Sequence, residues 1–405
     1  MTSRLVVPVL LLALVATACG SDGDDAADAA TTTAAIDVVT TTSIVATTTT
    51  AAPTTTTPPT TTTLPAPVEL LDERGPAAVG VRTISLGDRD TEVWYPIDAD
   101  LDCASEIFDS LTVFPEEFQA FIPEELQSTR DTGTCRDAPI LAGSYPVVVY
   151  SHGFGGYRQV FIDFTSHLAS WGFIVASTDH IERDIRAQSR ASVAPADDDD
   201  EDDEEPTGPR QDVLDILNSV EAVGADAELG VHADLEQVAV TGHSAGAFAA
   251  ASAARDDLVD GYVTLTGALI EDPARKPAMI ISGELDMVVP AERSADLFAA
   301  IADVDQTYYL DFAQAGHNSF TDSCAQILSN GGLGALVDLI GEAQVARGEE
   351  GCTEDFADPT AVQGALKHYI TSFLFELFGD DRLGGPIEER DDLGVEFSVF
   401  EIGGS

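Results

Sequence analysis

The residues best suited to covalent chemistry lie at 242–246, where the chain reads Gly-His-Ser-Ala-Gly directly after the apolar run 238–240. A glycine two places before and two places after Ser244 allows a strand and a helix to meet in a turn too tight for ordinary side chains. The hydroxyl of Ser244 would then project from the turn as a nucleophile. Because so short a motif also arises by chance, its interpretation depends on the groups that would activate the serine.

Two further residues supply those groups. A serine hydroxyl is nearly un-ionised at neutral pH, so a base such as His317 must take its proton during attack. A carboxylate such as that of Asp286 would fix the ring tautomer and stabilise the protonated ring. Asp286 follows the apolar run 278–282, and His317 follows the apolar residues near 308–310. The sequence therefore predicts a catalytic triad.

Other interpretations of these residues stay open at this stage. His317 is one of seven histidines and could serve in packing, and Asp286 could cap a helix ahead of Pro290. Asp311 is a rival acid, although it lies within or at the end of a predicted strand and only six residues before His317.

A glycine-rich turn at 151–156, Ser-His-Gly-Phe-Gly-Gly, follows another apolar strand. Hydrolysis by a serine needs backbone N–H donors for the negative charge that develops on the substrate oxygen. We expect these donors to be Phe154 and Ala245, the residue after the nucleophile. The alternative is a glycine turn needed only for tight packing. His152 and His243 are expected to shape the two turns rather than to act as bases.

These residues require a scaffold of alternating strands and helices. Short, fully apolar runs predict buried strands, and apolar residues at helical spacing predict helices between them. This alternation indicates a parallel sheet covered on both faces, with catalytic residues in loops at the carboxyl ends of the strands. The predicted strands cover 92–95, 146–150, 173–177, 238–241, 262–265, 278–282 and 308–311, and the predicted helices cover 161–170 and 212–223.

The pattern as a whole resembles the platelet-activating-factor acetylhydrolase branch of the α/β-hydrolases. Dienelactone-hydrolase-like and polyester-hydrolase or cutinase-like enzymes share much of it. The resemblance is carried by the segments 150–156 and 168–177, the turn at 242–246, and the loops of Asp286 and His317. The order serine, aspartate, histidine is also that of the α/β-hydrolases. The resemblance implies an α/β-hydrolase fold: a mostly parallel central sheet with helices on both faces and a small inserted cap region.

The same resemblance implies hydrolysis of carboxylic esters through an acyl-serine intermediate, without a cofactor. Carried over by position, it makes Ser244 the nucleophile, Asp286 the acid, His317 the base, and Phe154 and Ala245 the oxyanion donors. Dienelactone hydrolases proper use a cysteine nucleophile, so the serine argues against that activity.

The N-terminus has the features of an export signal. Arg4 precedes the uncharged stretch 5–18, which is too short to span a membrane. The residues 15–21, Val-Ala-Thr-Ala-Cys-Gly-Ser, resemble the lipobox of bacterial lipoproteins, so we expect a signal peptide at 1–18 and lipidation of Cys19. The alternative is an ordinary signal peptide with a cysteine near its cleavage site. The expected location is the extracellular face of the bacterial cytoplasmic membrane, or the medium.

The remaining chain divides by composition. Residues 19–67 consist largely of Thr, Ala, Asp and Pro, which cannot form a core and predict a disordered tether. Residues 68–405 are expected to form one hydrolase domain. Within it, 101–139 either form a cap or pack onto the sheet, and 191–209 form an acidic disordered loop.

Cysteine usage agrees with export. Apart from Cys19, the chain has four cysteines. We expect the disulfides Cys103–Cys135 and Cys324–Cys352, because each closes a local loop, with free buried thiols as the alternative. The spacing of cysteines and histidines predicts no metal site.

The charge restricts the partners. The chain has 71 acidic and 19 basic residues and a formal charge of −52. So acidic a protein is unsuited to phosphate contacts with nucleic acid and repels anionic ligands. We therefore expect a monomer that takes a small neutral or zwitterionic ester and contacts the membrane only through its N-terminal lipid. The predicted function is that of a lipid-anchored serine hydrolase. The alternatives are a non-catalytic hydrolase-like envelope protein and an envelope acyltransferase.

Overall fold

The computed structural model describes residues 70–120, 122, 124, 127–191, 208–329, 332–334, 342–380, 382 and 386–404. The predicted signal peptide, Cys19 and the tether lie outside the described residues, as does most of the acidic loop 191–209. Within the described ranges, no helix combines the length and the apolar character needed to cross a membrane.

The described residues form an eleven-stranded sheet with the order β11-β10-β9-β8-β7-β5-β6-β2-β1-β4-β3. The strands are β1 (Ala78–Leu86), β2 (Arg89–Ile97), β3 (Ser105–Asp109), β4 (Thr129–Arg136), β5 (Tyr145–Ser151), β6 (Ile174–Thr178), β7 (Ala233–His243), β8 (Gly261–Leu265), β9 (Ala278–Gly283), β10 (Thr307–Phe312) and β11 (Phe397–Ile402).

The centre of the sheet is parallel and its edges are mixed. Strands β6, β5, β7, β8, β9 and β10 pair parallel with one another in that order. The pairs β2/β6, β1/β2, β3/β4 and β10/β11 are antiparallel. The central strands β6, β8 and β9 are buried along their whole length, which parallel strands require when helices cover both faces. The predicted fold is confirmed.

The described residues also form nine helices. They are α1 (Glu116–Gln119), α2 (Ile162–Ser170), α3 (Ile185–Ala191), α4 (Gly208–Ala225), α5 (Ala245–Ala253), α6 (Ala291–Ile301), α7 (Ser323–Ser329), α8 (Glu342–Glu349) and α9 (Pro359–Leu377), with 3-10 turns at Ser110–Val113, Leu229–Val231, His317–Phe320 and Asp391–Leu393.

Alternate residues of β5 separate the core into two layers. Val148 and Tyr150 join one apolar cluster with α2 and α9. Val147 and Val149 join a second cluster with α4, α5 and α6. This division follows from the two-residue repeat of a strand, whose side chains point to opposite faces in turn.

Each predicted strand overlaps an observed one, but β1, β3, β4 and β11, which lie toward the two edges of the sheet, were missed. In the segment 101–139, β3 and β4 extend the sheet at its edge. Phe114 and Phe118, which lie between these strands, are buried in a small apolar cluster against which Tyr157 and Ile185 pack. This segment therefore combines packing on the sheet with contact to the turn that follows β5.

Four cysteines form two disulfide pairs in the described residues. Cys103 and Cys135 have Cα atoms 6.0 Å apart, and Cys324 and Cys352 have Cα atoms 4.8 Å apart. The second pair closes the segment that contains α7 and α8, next to the turn that carries His317.

Candidate active site

Ser244 lies at a sharp turn between β7 and α5. Its backbone has φ 54° and ψ −121°, a combination that costs energy for any residue with a side chain. The strand ends at His243 and the helix begins at Ala245, so the serine alone makes the turn. This geometry matches the elbow that the sequence predicts.

The flanking glycines make the turn feasible. A Cβ atom on Gly242 would overlap the carbonyl oxygen of Gly246, and one on Gly246 would overlap the carbonyl oxygen of Ser151. The elbow therefore packs directly on the carboxyl end of β5. Any side chain at either position would have to displace backbone rather than a flexible group.

His317 and Asp286 meet at the neighbouring strand ends. The Nδ1 atom of His317 donates to the Oδ2 atom of Asp286 at 2.8 Å, since a carboxylate can only accept. The other carboxylate oxygen accepts the N–H groups of Val288 and Val289, both at 2.8 Å. With Nδ1 occupied by this proton, Nε2 is the nitrogen of the His317 ring that can accept a hydrogen bond. We call Ser244, His317 and Asp286 the elbow triad.

The rival acid has another partner. Asp311 accepts a hydrogen bond from the hydroxyl of Ser282 at 2.6 Å, on adjacent strands β10 and β9. Burial raises the pKa of its carboxyl above the ordinary value. The structure thus brings Asp286, and not Asp311, to the ring of His317.

His243, the residue before Ser244, bonds to the backbone of His317. The Nε2 atom of His243 donates to the carbonyl oxygen of His317 at 2.9 Å, and the two rings lie 4.7 Å apart. Burial, with a smaller effect of His317, lowers the pKa of His243 to about 3, so its ring stays neutral. Within the described part of the chain, neither the hydroxyl of Ser244 nor Nε2 of His317 makes a hydrogen bond.

A third carboxylate, which the sequence did not predict, lies beside the elbow triad. Glu350 accepts the N–H of Met287 through Oε1 at 2.6 Å, and its backbone carbonyl accepts the N–H of Asn318 at 3.2 Å. Because Met287 follows Asp286 and Asn318 follows the base, Glu350 joins the acid loop to the base loop. Burial, with a smaller contribution from Asp286, raises the pKa of its carboxyl.

The two predicted oxyanion donors belong to segments that lie against each other. A Cβ atom on Gly153 would lie 3.4 Å from Cβ of Ser244 and 3.1 Å from Nδ1 of His243, so the turn at 151–156 lies against the elbow. Ala245 is the first residue of α5, where backbone N–H groups have no partner within the helix. Within the described ranges the N–H of Phe154 makes no backbone hydrogen bond. Both N–H groups are therefore available to donate hydrogen bonds to an oxyanion.

A second serine–histidine–aspartate arrangement lies behind this turn. The hydroxyl of Ser151 contacts Nε2 of His180 at 2.8 Å, and Nδ1 of His180 contacts Asp215 at 3.2 Å. We call these three residues the buried triad. Ser151 and His180 are 0% exposed, so no substrate reaches the hydroxyl. Burial, with Arg183 and Arg89, lowers the pKa of His180 well below its usual value and makes it a poor base.

His180, Asp212 and Asp215 also place three potential metal-ligand atoms within 4.8 Å of one another. Each carboxylate, however, already pairs with a guanidinium. Arg183 bonds Asp212 at 2.7 Å through Nε, and Arg89 bonds Asp215 at 2.9 Å. Two buried cations beside the cluster oppose the entry of a third, so its chemistry is that of an ion-pair network.

The sequence carries a signal for this network. Residues 179–184, Asp-His-Ile-Glu-Arg-Asp, directly follow the buried strand β6. The rule that functional residues gather at the carboxyl ends of parallel strands applies to this strand as well. Glu350 has no comparable signal, because it lies far from any strand end.

Comparisons with known proteins agree with this architecture. Residues 88–212 match the family described as platelet-activating factor acetylhydrolase, isoform II. A 61-residue segment is 36% identical to the platelet-activating factor acetylhydrolase of Cavia porcellus, and it spans 15% of this chain and 14% of that relative.

A solved structure extends the likeness to most of the chain. The ferulic acid esterase from Streptomyces cinnamoneus superimposes with a TM-score of 0.54 and 20% identity, covering 80% of this chain and 97% of the esterase. At that identity the likeness establishes the fold. The chain has the α/β-hydrolase fold.

Proposed function

We propose that this α/β-hydrolase chain is a serine esterase that cleaves carboxylic esters through an acyl-serine intermediate. The observation that carries the proposal is the 2.8 Å bond from His317 to Asp286, beside a serine on a strained elbow. The names of the two relatives, an acetylhydrolase and an esterase, both describe the cleavage of an ester and support this choice.

The first half of the reaction forms the acyl-enzyme. The hydroxyl oxygen of Ser244 attacks the ester carbonyl carbon while Nε2 of His317 takes the hydroxyl proton. The carbonyl electron pair moves to the oxygen, which accepts hydrogen bonds from the N–H groups of Phe154 and Ala245. The carbon–oxygen bond to the leaving alcohol then breaks, and His317 returns the proton to that alcohol.

The second half regenerates the serine. A water molecule gives a proton to His317 and attacks the acyl carbon, so that a second oxyanion forms at the same two donors. Collapse of this intermediate releases the carboxylic acid and returns the proton to Ser244. Throughout the cycle, Asp286 stabilises the protonated ring and keeps its orientation.

The charge of the chain selects among esters. With a formal net charge of −52, the protein repels an anionic substrate at low ionic strength, whereas it does not repel a neutral or zwitterionic ester. We therefore place neutral esters and zwitterionic phospholipid esters within the substrate class.

The proposal also includes a location. The export signal at 1–18 and the small residues before Cys19 support secretion followed by lipid attachment at that cysteine. The chain expressed in a bacterium with lipoprotein processing should incorporate labelled fatty acid and partition into detergent. The Cys19→Ala variant should lose both properties, and a variant that keeps the label would refute the anchor.

Active-site labelling tests the chemistry. A fluorophosphonate probe should label the wild-type protein, and Ser244→Ala should remain unlabelled and fail to hydrolyse a panel of p-nitrophenyl esters. Ser252→Ala, which changes a serine of α5 away from the elbow, is the matched control and should keep both properties. A folded wild-type protein that neither reacts with the probe nor hydrolyses the panel would overturn the proposed function.

A further inference from the structure

The turn that carries Phe154 is held from behind by one buried guanidinium, that of Arg183. Its NH1 atom donates to the carbonyl oxygens of His152 and, at 2.9 Å, of Gly153. Its NH2 atom donates to the hydroxyl of Ser151 at 3.2 Å. Three successive residues of the turn are thus bonded to the same side chain, which is 9% exposed.

Planarity of the peptide group connects this contact to the oxyanion donor. The carbonyl of Gly153 and the N–H of Phe154 belong to one peptide group, and the described chain has no cis peptide bond. In a trans peptide these two groups point in opposite directions. A donor that fixes the carbonyl on one side therefore fixes the N–H on the other.

Further hydrogen bonds fix the same carbonyl. It accepts the N–H of Gly156 at 3.1 Å and contacts Nδ1 of His152 at 2.8 Å. The remaining side of Gly153 lies against the nucleophile, because a Cβ atom there would be 3.4 Å from Cβ of Ser244. Arg183 thus bonds the carbonyl of the peptide group whose opposite end carries the Phe154 N–H.

Backbone hydrogen bonds also join the segment around Arg183 to the turn that carries Phe154. Its carbonyl accepts the N–H of Gly155 at 2.8 Å, and the carbonyl of Gly156 accepts the N–H of Ile185 at 3.0 Å. The loop that follows β6 and the turn that follows β5 are therefore joined through backbone and side chain together.

Asp212 and the buried triad give this guanidinium its own support. Nε of Arg183 bonds Asp212 at 2.7 Å, and the hydroxyl of Ser151 lies between Arg183 and His180. Asp212 compensates the cost of burying the Arg183 charge. The other side of the guanidinium can therefore donate to the carbonyl oxygens of the turn. A planar fork of donors suits several acceptors at once, which a lysine ammonium does not.

We propose that Arg183 is a positioning residue for ester hydrolysis, which fixes and polarises the peptide between Gly153 and Phe154 so that its N–H meets the substrate oxyanion. This inference rests on the proposed function. A charge-assisted bond to the carbonyl draws electron density from the peptide and strengthens its N–H as a donor. Arg183 itself contacts no substrate.

Three variants separate positioning from mere stability. Arg183→Met/Asp212→Asn removes the ion pair as a unit and avoids leaving a buried carboxylate alone. Asp212→Asn keeps the guanidinium and its carbonyl contacts. Arg136→Gln is the matched control, because it removes a partly buried, ion-paired arginine whose partners are the side chains of Glu92, Glu106 and Thr83.

The double variant should lower kcat for a p-nitrophenyl ester by about 10²-fold, the effect of losing one oxyanion donor, with KM changed less than about threefold. Its affinity for a trifluoromethyl ketone, whose serine adduct carries the oxyanion, should fall by a similar factor. Asp212→Asn should lose less than about tenfold in kcat, and Arg136→Gln should match the wild type. Arg183→Lys should fall between the double variant and the wild type.

Thermal unfolding accompanies each measurement, so that a loss of folded protein is separated from a loss of kcat. An active wild type together with a folded double variant of unchanged kcat and ketone affinity would overturn the role of Arg183 alone. Equal losses in the double variant and in Asp212→Asn would also overturn it, since both would then act through stability. A wild type inactive on every ester would overturn the proposed function as well.

Discussion

The elbow triad and the buried triad contain the same three residue types within one molecule. The buried triad is the more complete by hydrogen bonds alone, since both of its contacts are present, at 2.8 and 3.2 Å. The elbow triad shows only the acid–base bond, at 2.8 Å. Ser244 is nevertheless 8% exposed, whereas Ser151 has no exposed surface.

Two further differences separate the triads. Ser244 has a left-handed φ of 54°, which turns its hydroxyl out of the strand, while Ser151 is the last residue of a regular strand. Among the described residues, the N–H of Phe154 near Ser244 makes no backbone hydrogen bond, whereas the hydroxyl of Ser151 accepts a hydrogen bond from the buried guanidinium of Arg183. Hydrogen-bond geometry alone therefore does not distinguish the proposed nucleophile, Ser244, from Ser151. Solvent access, the strained turn and the nearby N–H groups do.

Removing each serine should give the largest contrast. Ser244→Ala should lower kcat for a p-nitrophenyl ester by about 10⁴- to 10⁶-fold, because attack and proton transfer both stop. Ser151→Ala should change kcat less than about tenfold and act mainly on stability, since it leaves Arg183 and His180 without one partner. Steady-state kinetics with thermal unfolding checks both. Comparable losses of kcat would show that the buried hydroxyl takes part in catalysis.

The two acids should differ almost as much. Asp286→Asn should lower kcat by about 10⁴-fold, because an amide in this position favours the wrong tautomer of His317. Asp215→Asn should lower the thermal midpoint, because Arg89 loses a buried partner, with less than about a tenfold change in kcat. Kinetics on both purified variants decides the matter, and an Asp286→Asn enzyme within tenfold of the wild type would refute the assignment of the acid.

The turn between the two triads should give an intermediate effect. In Gly153→Ala the new methyl group would lie 3.1 Å from Nδ1 of His243, so the turn must shift by a few tenths of an ångström. We expect a loss of about tenfold in kcat, since catalysis depends on near-ångström placement. Gly364→Ala, in α9 with only Cβ of Asp72 at 3.7 Å, is the control and should leave kcat unchanged. Equal activity in both variants would contradict the prediction.

The smallest effect concerns the pH dependence of stability. The folded-state pKa of His180 lies well below its ordinary value near 6.5, through burial and the cations Arg183 and Arg89, with Asp212 and Asp215 facing the same ring. Below about pH 6.5 the unfolded chain binds a proton here and the folded chain does not. Stability is therefore full above that pH and falls in acid by up to about 1.4 kcal/mol per pH unit for this group.

His180→Gln removes this group from the titration. The free energy of unfolding of the variant is measured by urea denaturation between about pH 7 and pH 5. It should fall less steeply with decreasing pH than that of the wild type, and the difference in slope should correspond to the uptake of up to one proton on unfolding. Parallel curves for the two proteins would mean that His180 protonates equally in both states.

Much of the scaffold followed from local pattern. Apolar runs such as 278–282 placed the central strands correctly, because a parallel strand is buried on both faces and needs no information from its neighbours. The strands β1, β3, β4 and β11 were missed, since they lie toward the two edges of the sheet and their burial is partial. Whether such a segment pairs with the sheet is decided by the partner strand and not by its own sequence.

The sequence by itself determined the elbow at Ser244, because two glycines and an adjacent apolar run are local requirements of a tight turn. It also determined which residues were candidates for base and acid. Only the tertiary structure decided that Asp286, and not Asp311, bonds to His317. Only the structure distinguished the elbow triad from the buried one and brought Arg183 behind the turn that bears the oxyanion donor. These contacts join residues far apart in the chain, and the packing of parallel strand ends, which no local pattern records, brings them within hydrogen-bond distance.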